Sequence, residues 1–135
     1  MFDESGRPRV GQKRCMLGVR PPGTPATPDV DLEPNGDVSL NNKGMSVFRS
    51  FREIPLTLVP LHLADKVRGA VGPSIAHIWS LGSGPFVSGT ITATLRLDAA
   101  AGPHGNVCPA HAMRLASFQQ ELANTRDSWD IEEPA

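Results

Sequence analysis

Tyrosine is absent from this chain of 135 residues, and aromatic residues make up only 5% of it. So few aromatic side chains argue against the stacking surfaces on which proteins hold single-stranded nucleic acid. A surplus of charge of one sign is also missing, because 13 basic and 14 acidic side chains leave a formal net charge of −1. The chain therefore has no general electrostatic attraction for nucleic acid, and we expect no direct nucleic-acid binding.

The sequence also lacks a long hydrophobic run. Its longest apolar stretch, residues 54–64, is interrupted by Pro55, Pro60 and His62 and is too short to span a bilayer. The acidic N-terminal residues lack the basic-then-apolar order of a signal peptide. We therefore expect a cytoplasmic protein without a membrane partner. Secretion by a route that needs no signal peptide stays open as an alternative.

Cysteine is scarce, since Cys15 and Cys108 are the two cysteines in the chain. Two thiols allow at most one bridge, and without a secretory signal they are expected to remain reduced. A chain of this length buries enough surface to fold without a disulfide framework.

Glycine and proline, by contrast, are abundant, with 13 of each. This composition favours a loop-rich domain that contains strands over a helical bundle. We expect a loose N-terminal arm over residues 1–14 and a single α+β domain over residues 15–135. The predicted architecture is a small mixed or antiparallel sheet with a C-terminal helix.

Local patterns predict the first elements. Residues 15–20 are apolar and end before two prolines, which predicts a buried strand closed by Arg20. Apolar residues alternate on both sides of Asn35-Gly36, which predicts a hairpin with a two-residue type I′ turn. Residues 45–48 either open a helix or cross the end of a strand.

Later patterns predict the rest of the sheet and the helix. Residues 75–81 read as a strand, and residues 90–97 alternate as one half-buried strand. His104 precedes a short last strand, residues 105–108, and Pro109 suits the first turn of a helix. The helix repeats apolar residues at helical intervals, and we expect three of them to be buried: Leu115, Phe118 and Leu122.

Motifs for metal or phosphate chemistry are weak. His104, Cys108 and His111 lie within eight residues, but Pro109 and the expected helix start separate them, and a fourth ligand would have to come from elsewhere. The strong zinc signatures and the phosphate-binding glycine fingerprints are absent. We therefore expect no metal cofactor.

Three dispersed residues remain as candidates, each with an ordinary structural explanation of its own. Arg20 ends the first predicted strand, Ser46 follows a glycine turn, and His104 leads into the last strand. An arginine there can pair with a carboxylate, a serine can cap a helix, and a histidine in a turn can be solvated.

Their arrangement resembles a small toxin family, the cytoplasm-acting effectors of the type VI secretion system, which have an ADP-ribosyltransferase-like fold. The resemblance rests on Val19-Arg20 before a Pro-rich loop, on Gly44-x-Ser46-Val47-Phe48, and on His104-x-x-Val107-x-Pro109 before the last helix. About a dozen positions within residues 17–125 carry the resemblance, and residues 55–98 match only in having strand-like sequence patterns.

The resemblance implies a cytotoxic domain that uses NAD as a substrate, modifies a macromolecular target and is neutralised by a cognate immunity protein. It implies catalytic roles for Ser46 and His104, and cofactor binding by Arg20 and Ser46, so these three side chains are expected to converge on one cleft. An arginine fork suits the diphosphate, while a serine and a histidine can hold ribose hydroxyls. No metal is required for this reaction.

One departure puts the chemistry in doubt. Such transferases place a glutamate on a late strand, whereas Glu121, Glu132 and Glu133 lie in or after the last predicted helix. The fold could therefore be inherited while the transfer chemistry is altered or lost, and the expected reaction is ADP-ribosyl transfer or NAD cleavage. The alternative is a non-enzymatic α+β module that binds a protein partner.

Overall fold

The centre of the computed structural model is a four-stranded antiparallel sheet. Its order is β3 (Met45–Phe48), β7 (His104–Pro109), β6 (Leu95–Asp98) and β5 (Gly89–Thr90). With the C-terminal helix, this sheet confirms the α+β class. The structure describes residues 1–23, 25–82, 84–100 and 102–135.

One face of this sheet forms the main core. Met45, Val107 and Leu95 point into it from three neighbouring strands, because alternate residues of a strand face the same side. Helix α1 (Leu115–Asn124) packs there with Phe118 and Leu122, which are almost completely buried. The burial expected for these two residues is confirmed, while Leu115 is half-buried at the edge of the core.

The helix begins later than Pro109 suggested. Pro109 is the last residue of β7, where it lies opposite Leu95, and α1 starts only after Arg114. A proline is tolerated at such a strand end because its missing N–H removes only one ladder bond. Ala110 then continues the pairing by donating its N–H to the Thr94 carbonyl at 2.9 Å.

The hairpin at Asn35-Gly36 is present, but its turn type differs from the prediction. Leu32 and Val38 bridge antiparallel, and the Gly36 N–H donates to the Glu33 carbonyl at 2.9 Å. The tight turn is therefore centred on Pro34 and Asn35, and Gly36 follows with φ +91°. Proline fixes a negative φ, which suits an ordinary turn followed by a glycine in the left-handed region.

The strand predicted over residues 15–20 is absent, although Leu17 and Val19 are buried as expected. Cys15 and Gly18 both have positive φ angles, which interrupt an extended chain. The Val19 N–H donates instead to Gln119 Oε1 of the helix at 3.1 Å. Apolar content predicted burial here, but Leu17 forms only an isolated backbone bridge with Val10, and a side chain rather than a strand satisfies the Val19 N–H.

The single strand predicted over residues 90–97 is a hairpin, β5 and β6. Thr92 Oγ1 accepts hydrogen bonds from the Thr94 and Leu95 N–H groups, at 3.2 and 3.1 Å, and this turns the chain. The strand predicted over residues 75–81 is shortened to β4 (Trp79–Leu81), which pairs with β8 (Trp129–Ile131).

Residues 1–14, expected as a loose arm, carry a small hairpin, β1 (Asp3–Glu4) and β2 (Arg7–Pro8), that docks on the rest of the fold. Arg126 donates to the Pro8 carbonyl at 3.0 Å, and Arg7 donates to the Trp129 carbonyl at 2.9 Å. One arginine of this segment, Arg7, and one arginine near the C-terminus, Arg126, thus hold the two parts of the chain together.

Residues 51–78 form a second region beside the main core. It contains two 3-10 helices, Phe51–Glu53 and Leu61–Leu63, and no longer helix or strand before β4. Its own small core consists of Val59, Leu63, Ala70 and Ile78.

Both cysteines are free in the structure, Cys15 half-buried and Cys108 buried. Among the described residues, no helix is long and apolar enough to cross a membrane.

Candidate functional site

Ser46 and His104, far apart in the sequence, meet on the solvent face of the central sheet. Strands β3 and β7 pair so that Phe48 lies opposite His104 and Ser46 lies opposite Asn106. Ser46 Oγ and His104 Nε2 share a hydrogen bond of 3.1 Å, diagonally across the two strands. The predicted convergence of Arg20, Ser46 and His104 is thus found for two of the three residues.

Gly44 explains why the serine sits where it does. A Cβ atom on Gly44 would overlap the carbonyl oxygen of Val107, so only glycine allows the chain to approach β7 so closely at the start of β3. This contact fixes the register that places Ser46 beside His104. The Gly-x-Ser spacing in the sequence therefore has a structural basis.

The histidine is packed on one side and open on the other. The ring of Phe48 lies 5.2 Å from the His104 ring, centroid to centroid, at an interplanar angle of 38°. Among the described residues, His104 Nδ1 has no hydrogen-bond partner. No carboxylate therefore orients this histidine as in a serine-histidine-acid triad, and the pair is a hydrogen-bonding pair without the third member.

The same sheet face carries polar residues that sequence analysis missed. Asp98 in β6 lies opposite Asn106, and Arg96 lies on the same face one step further along β6. Arg96 Nη2 donates to Asn42 Oδ1 at 2.6 Å, and Asn106 Nδ2 donates to the Asn42 carbonyl at 3.1 Å. Correct sequence boundaries for β6 and β7 would have been needed to predict, from strand register, that Arg96, Asp98 and Asn106 share this face.

Cys108 lies on this same sheet face, opposite Arg96, and is buried there. Burial raises the pKa of the Cys108 thiol; nearby Arg96 opposes this effect, and Asp98 adds to it. The side chain is therefore a neutral thiol near neutral pH, and its Sγ contacts the Asn106 carbonyl at 3.6 Å.

Arg20 has a different environment. Its Nη2 and Nε donate to the two carboxylate oxygens of Asp29, at 3.0 and 3.3 Å, and its backbone N–H donates to the same carboxylate at 2.7 Å. Asp29 thus compensates the guanidinium charge and holds the side chain in place. The contacts found for Arg20 are those of a loop clamp, and they do not join it to Ser46 or His104.

The metal-ligand group considered in the sequence is not assembled either. His104 contacts Ser46, while His111 is exposed and its Nδ1 lies 3.2 Å from the Ala112 carbonyl. Among the described residues, the group of potential ligands whose atoms lie within 4.8 Å of one another is His62, His77 and Glu133. No motif in the sequence marks it, because the three residues come from separate segments.

Two grooves lie elsewhere on the surface. A groove of about 400 Å³ runs between the Asn35-Gly36 hairpin and Ala112, and another of about 260 Å³ runs between the turn at residues 92–94 and α1. The residues lining these two grooves do not include Ser46 or His104.

The comparisons with known proteins add no relative. No protein-family model, no curated protein and no solved structure matches the chain.

Proposed function

We propose that the chain is a cytotoxic effector domain that acts on NAD in the cytoplasm of a target cell, and that Ser46 and His104 bind the nicotinamide ribose. The observation that carries this proposal is the 3.1 Å hydrogen bond between Ser46 Oγ and His104 Nε2 on an accessible sheet face. A hydroxyl and an imidazole at this spacing can together hold a vicinal diol, because each both donates and accepts hydrogen bonds.

The missing third member favours binding over nucleophilic attack. A serine becomes a strong nucleophile when a histidine, itself oriented by a carboxylate, removes its proton. With Nδ1 of His104 unpartnered, the pair is better suited to orienting a sugar than to forming an acyl-enzyme. Phe48 beside the imidazole offers an apolar surface for a flat ring.

Asp98 supplies a carboxylate in place of the late-strand glutamate that the resembled transferases have and this sequence lacks. Cleavage of the bond between nicotinamide and ribose develops positive charge on the sugar, and a carboxylate on the same face stabilises it. Asp98 lies two strands from Ser46, at about 10 Å between backbones. NAD cleavage, or transfer of its ADP-ribosyl group to a macromolecular target, is the reaction proposed, and a cognate immunity protein is the partner expected to block it.

Arg20 is assigned a supporting part in this proposal. Because Asp29 already occupies its guanidinium fork, Arg20 positions the Pro-rich loop rather than gripping a diphosphate. Arg96, on the same face as Ser46, is the cation proposed to contact the diphosphate.

Expression in bacteria from a tightly controlled promoter tests the proposal. The wild-type chain is expected to arrest growth and deplete NAD, and Ser46→Ala and His104→Ala are each expected to relieve both effects. The double variant should be little worse than either single one, because the two residues act as a unit. Ser117→Ala and His111→Ala, exposed residues away from the pair, are the matched controls.

A second candidate function is a protein-binding module without catalytic activity, favoured by exposed apolar side chains in residues 51–78. Val71 and Ile75 are 64% and 76% exposed. The Val71 N–H donates to the carbonyl of Leu56, which is also exposed, so Val71 and Leu56 lie side by side. If this is the function, the chain is tolerated on expression, NAD stays constant, and Val71→Asp rather than Ser46→Ala abolishes partner binding.

A further inference from the structure

His62, His77 and Glu133 are brought together from three separate parts of the chain. His62 lies in the 3-10 helix Leu61–Leu63, His77 lies shortly before β4, and Glu133 follows β8. Glu133 Oε2 lies 3.1 Å from His62 Nε2, and Glu133 Oε1 lies 2.9 Å from His77 Nδ1. We propose that these three side chains form a binding site for a zinc-class divalent transition metal, with one coordination position open to water.

The spacing fits such an ion. Zinc binds histidine nitrogen and carboxylate oxygen at about 2.0–2.2 Å, so two ligands at a tetrahedral angle lie roughly 3.3 Å apart. The two nitrogen-to-oxygen distances, 3.1 and 2.9 Å, are close to this value, and all ligand atoms lie within 4.8 Å of one another. The two distances run to different oxygens of Glu133, so the side chains must shift for both nitrogens and one oxygen to meet a single ion.

The hydrogen bonds of His62 point to the same conclusion. Its Nδ1 lies 2.6 Å from the carbonyl oxygen of Ser74, and a carbonyl can only accept, so Nδ1 carries a proton. In the neutral ring, Nε2 then presents a lone pair directly to a carboxylate oxygen. Two acceptors face each other there unless a cation, either a second proton or a metal ion, lies between them.

The surroundings orient the ligands as supporting residues do in metal sites. A histidine ligand commonly donates its other ring N–H to a backbone carbonyl, which fixes the tautomer, and Ser74 has this part for His62. The Ile78 N–H donates to Glu133 Oε2 at 3.4 Å, and the Glu132 N–H donates to the Ile78 carbonyl at 2.9 Å. The β4–β8 pairing thus holds the carboxylate opposite both imidazoles.

The donor set indicates the class of ion. Two imidazoles and one carboxylate suit zinc and its neighbours in the first transition series, whereas calcium and magnesium prefer oxygen ligands. Three protein ligands leave a fourth position, and all three side chains are partly exposed, so water reaches the ion. The site is separate from Ser46 and His104, and this inference does not depend on the proposed function.

Zinc binding by the full chain, stripped with a chelator and freed of any histidine tag, tests the site. Dialysis against zinc at pH 7.5 should leave about one ion per chain, because three correctly placed ligands bind one ion. His62→Asn and Glu133→Gln should each lower the affinity by at least about 10-fold, the loss that removing even a supporting residue causes. His111→Asn, which changes an exposed histidine elsewhere, should bind as the wild type does.

Cobalt provides a second measurement if a variant is unstable. The visible absorption of cobalt reports its coordination directly, and the wild-type spectrum should be altered or lost in His77→Asn while circular dichroism verifies the fold. Less than about 0.1 zinc per chain, or equal binding by wild type and Glu133→Gln, would overturn the proposal. Either result would mean that hydrogen bonds alone hold the cluster and that the three side chains do not bind the ion together.

Discussion

Ser46 and His104 lie on a four-stranded sheet backed by a helix, whereas His62 and His77 lie in residues 51–78, a region that consists mainly of turns. In the first region, strand pairing fixes the neighbours of each side chain, and Phe118 and Leu122 anchor the helix in a large core. The second region, residues 51–78, has a core of four buried residues. Its functional candidates are positioned by contacts to distant segments, above all to Glu133.

The comparison teaches how each region tolerates change. Ladder hydrogen bonds hold the backbone of a paired strand, on both sides for β7 and on one side for the edge strand β3, so the position of each side chain follows from the register. A side chain in a turn-rich segment depends on a few specific contacts, and such segments open locally at lower free energy than core strands. We therefore expect the second region to unfold first.

The largest expected effect is that of Phe118→Ala. Phe118 is completely buried between α1 and the sheet, and its removal should lower the free energy of unfolding by about 3–5 kcal/mol. Chemical denaturation gives this value. Hydrogen exchange should accelerate throughout the chain, because the main core holds the whole fold together.

Leu63→Ala is the counterpart of Phe118→Ala in the small core. It should cost about 2 kcal/mol, at the low end for such a truncation because Leu63 keeps some exposure. Faster hydrogen exchange should be confined to residues 51–78. Equal acceleration in the central sheet would contradict the division into two regions.

An effect of similar size is expected from Gly44→Ala. The added methyl would overlap the Val107 carbonyl, and overpacking of this kind costs about 1–3 kcal/mol. Because relief requires β3 to move, the environment of His104 should change as well, as NMR of its ring protons would report. Gly89→Ala is the matched control, since a Cβ there meets no atom within 4 Å. A Gly44→Ala protein with wild-type stability would show that the close approach does not fix the register.

The smallest effect concerns the two thiols and pH. Because burial raises the pKa of Cys108, its neutral form is favoured in the fold. The corresponding stability is fully present below the unfolded thiol pKa of about 8.5 and is lost as pH rises through the higher folded value. Cys108→Ala should therefore flatten the loss of stability above pH 8.5.

Thiol labelling checks the same difference between the cysteines. The half-buried Cys15 should react first at pH 8, and Cys108 should react only after denaturation. Cys15→Ala should remove the fast reaction. An intact mass two daltons lower under non-reducing conditions would instead indicate a disulfide and contradict the reduced state.

Sequence patterns found the elements whose cause is local. The hairpin at Asn35-Gly36 and the buried face of α1 follow from turn residues and apolar spacing, whereas the pattern of residues 45–48 leaves both a helix and a strand open. Boundaries failed where side chains compete with the backbone, as at Thr92, which turns an alternating stretch into a hairpin. The contact of Ser46 with His104 was expected from a resemblance and could not be placed on a sheet face without the register.

By itself, the sequence determined the α+β class and the burial of the main apolar residues, because composition and short-range periodicity suffice for these. Tertiary structure decided which polar groups meet. Asp29 forms an ion pair with Arg20, and the pairing of β3 with β7 brings His104 to Ser46. Glu133 contacts two histidines that lie more than fifty residues away in the sequence. Such pairings depend on strand register and on side-chain contacts between segments distant along the chain, and neither leaves a periodic trace in the sequence.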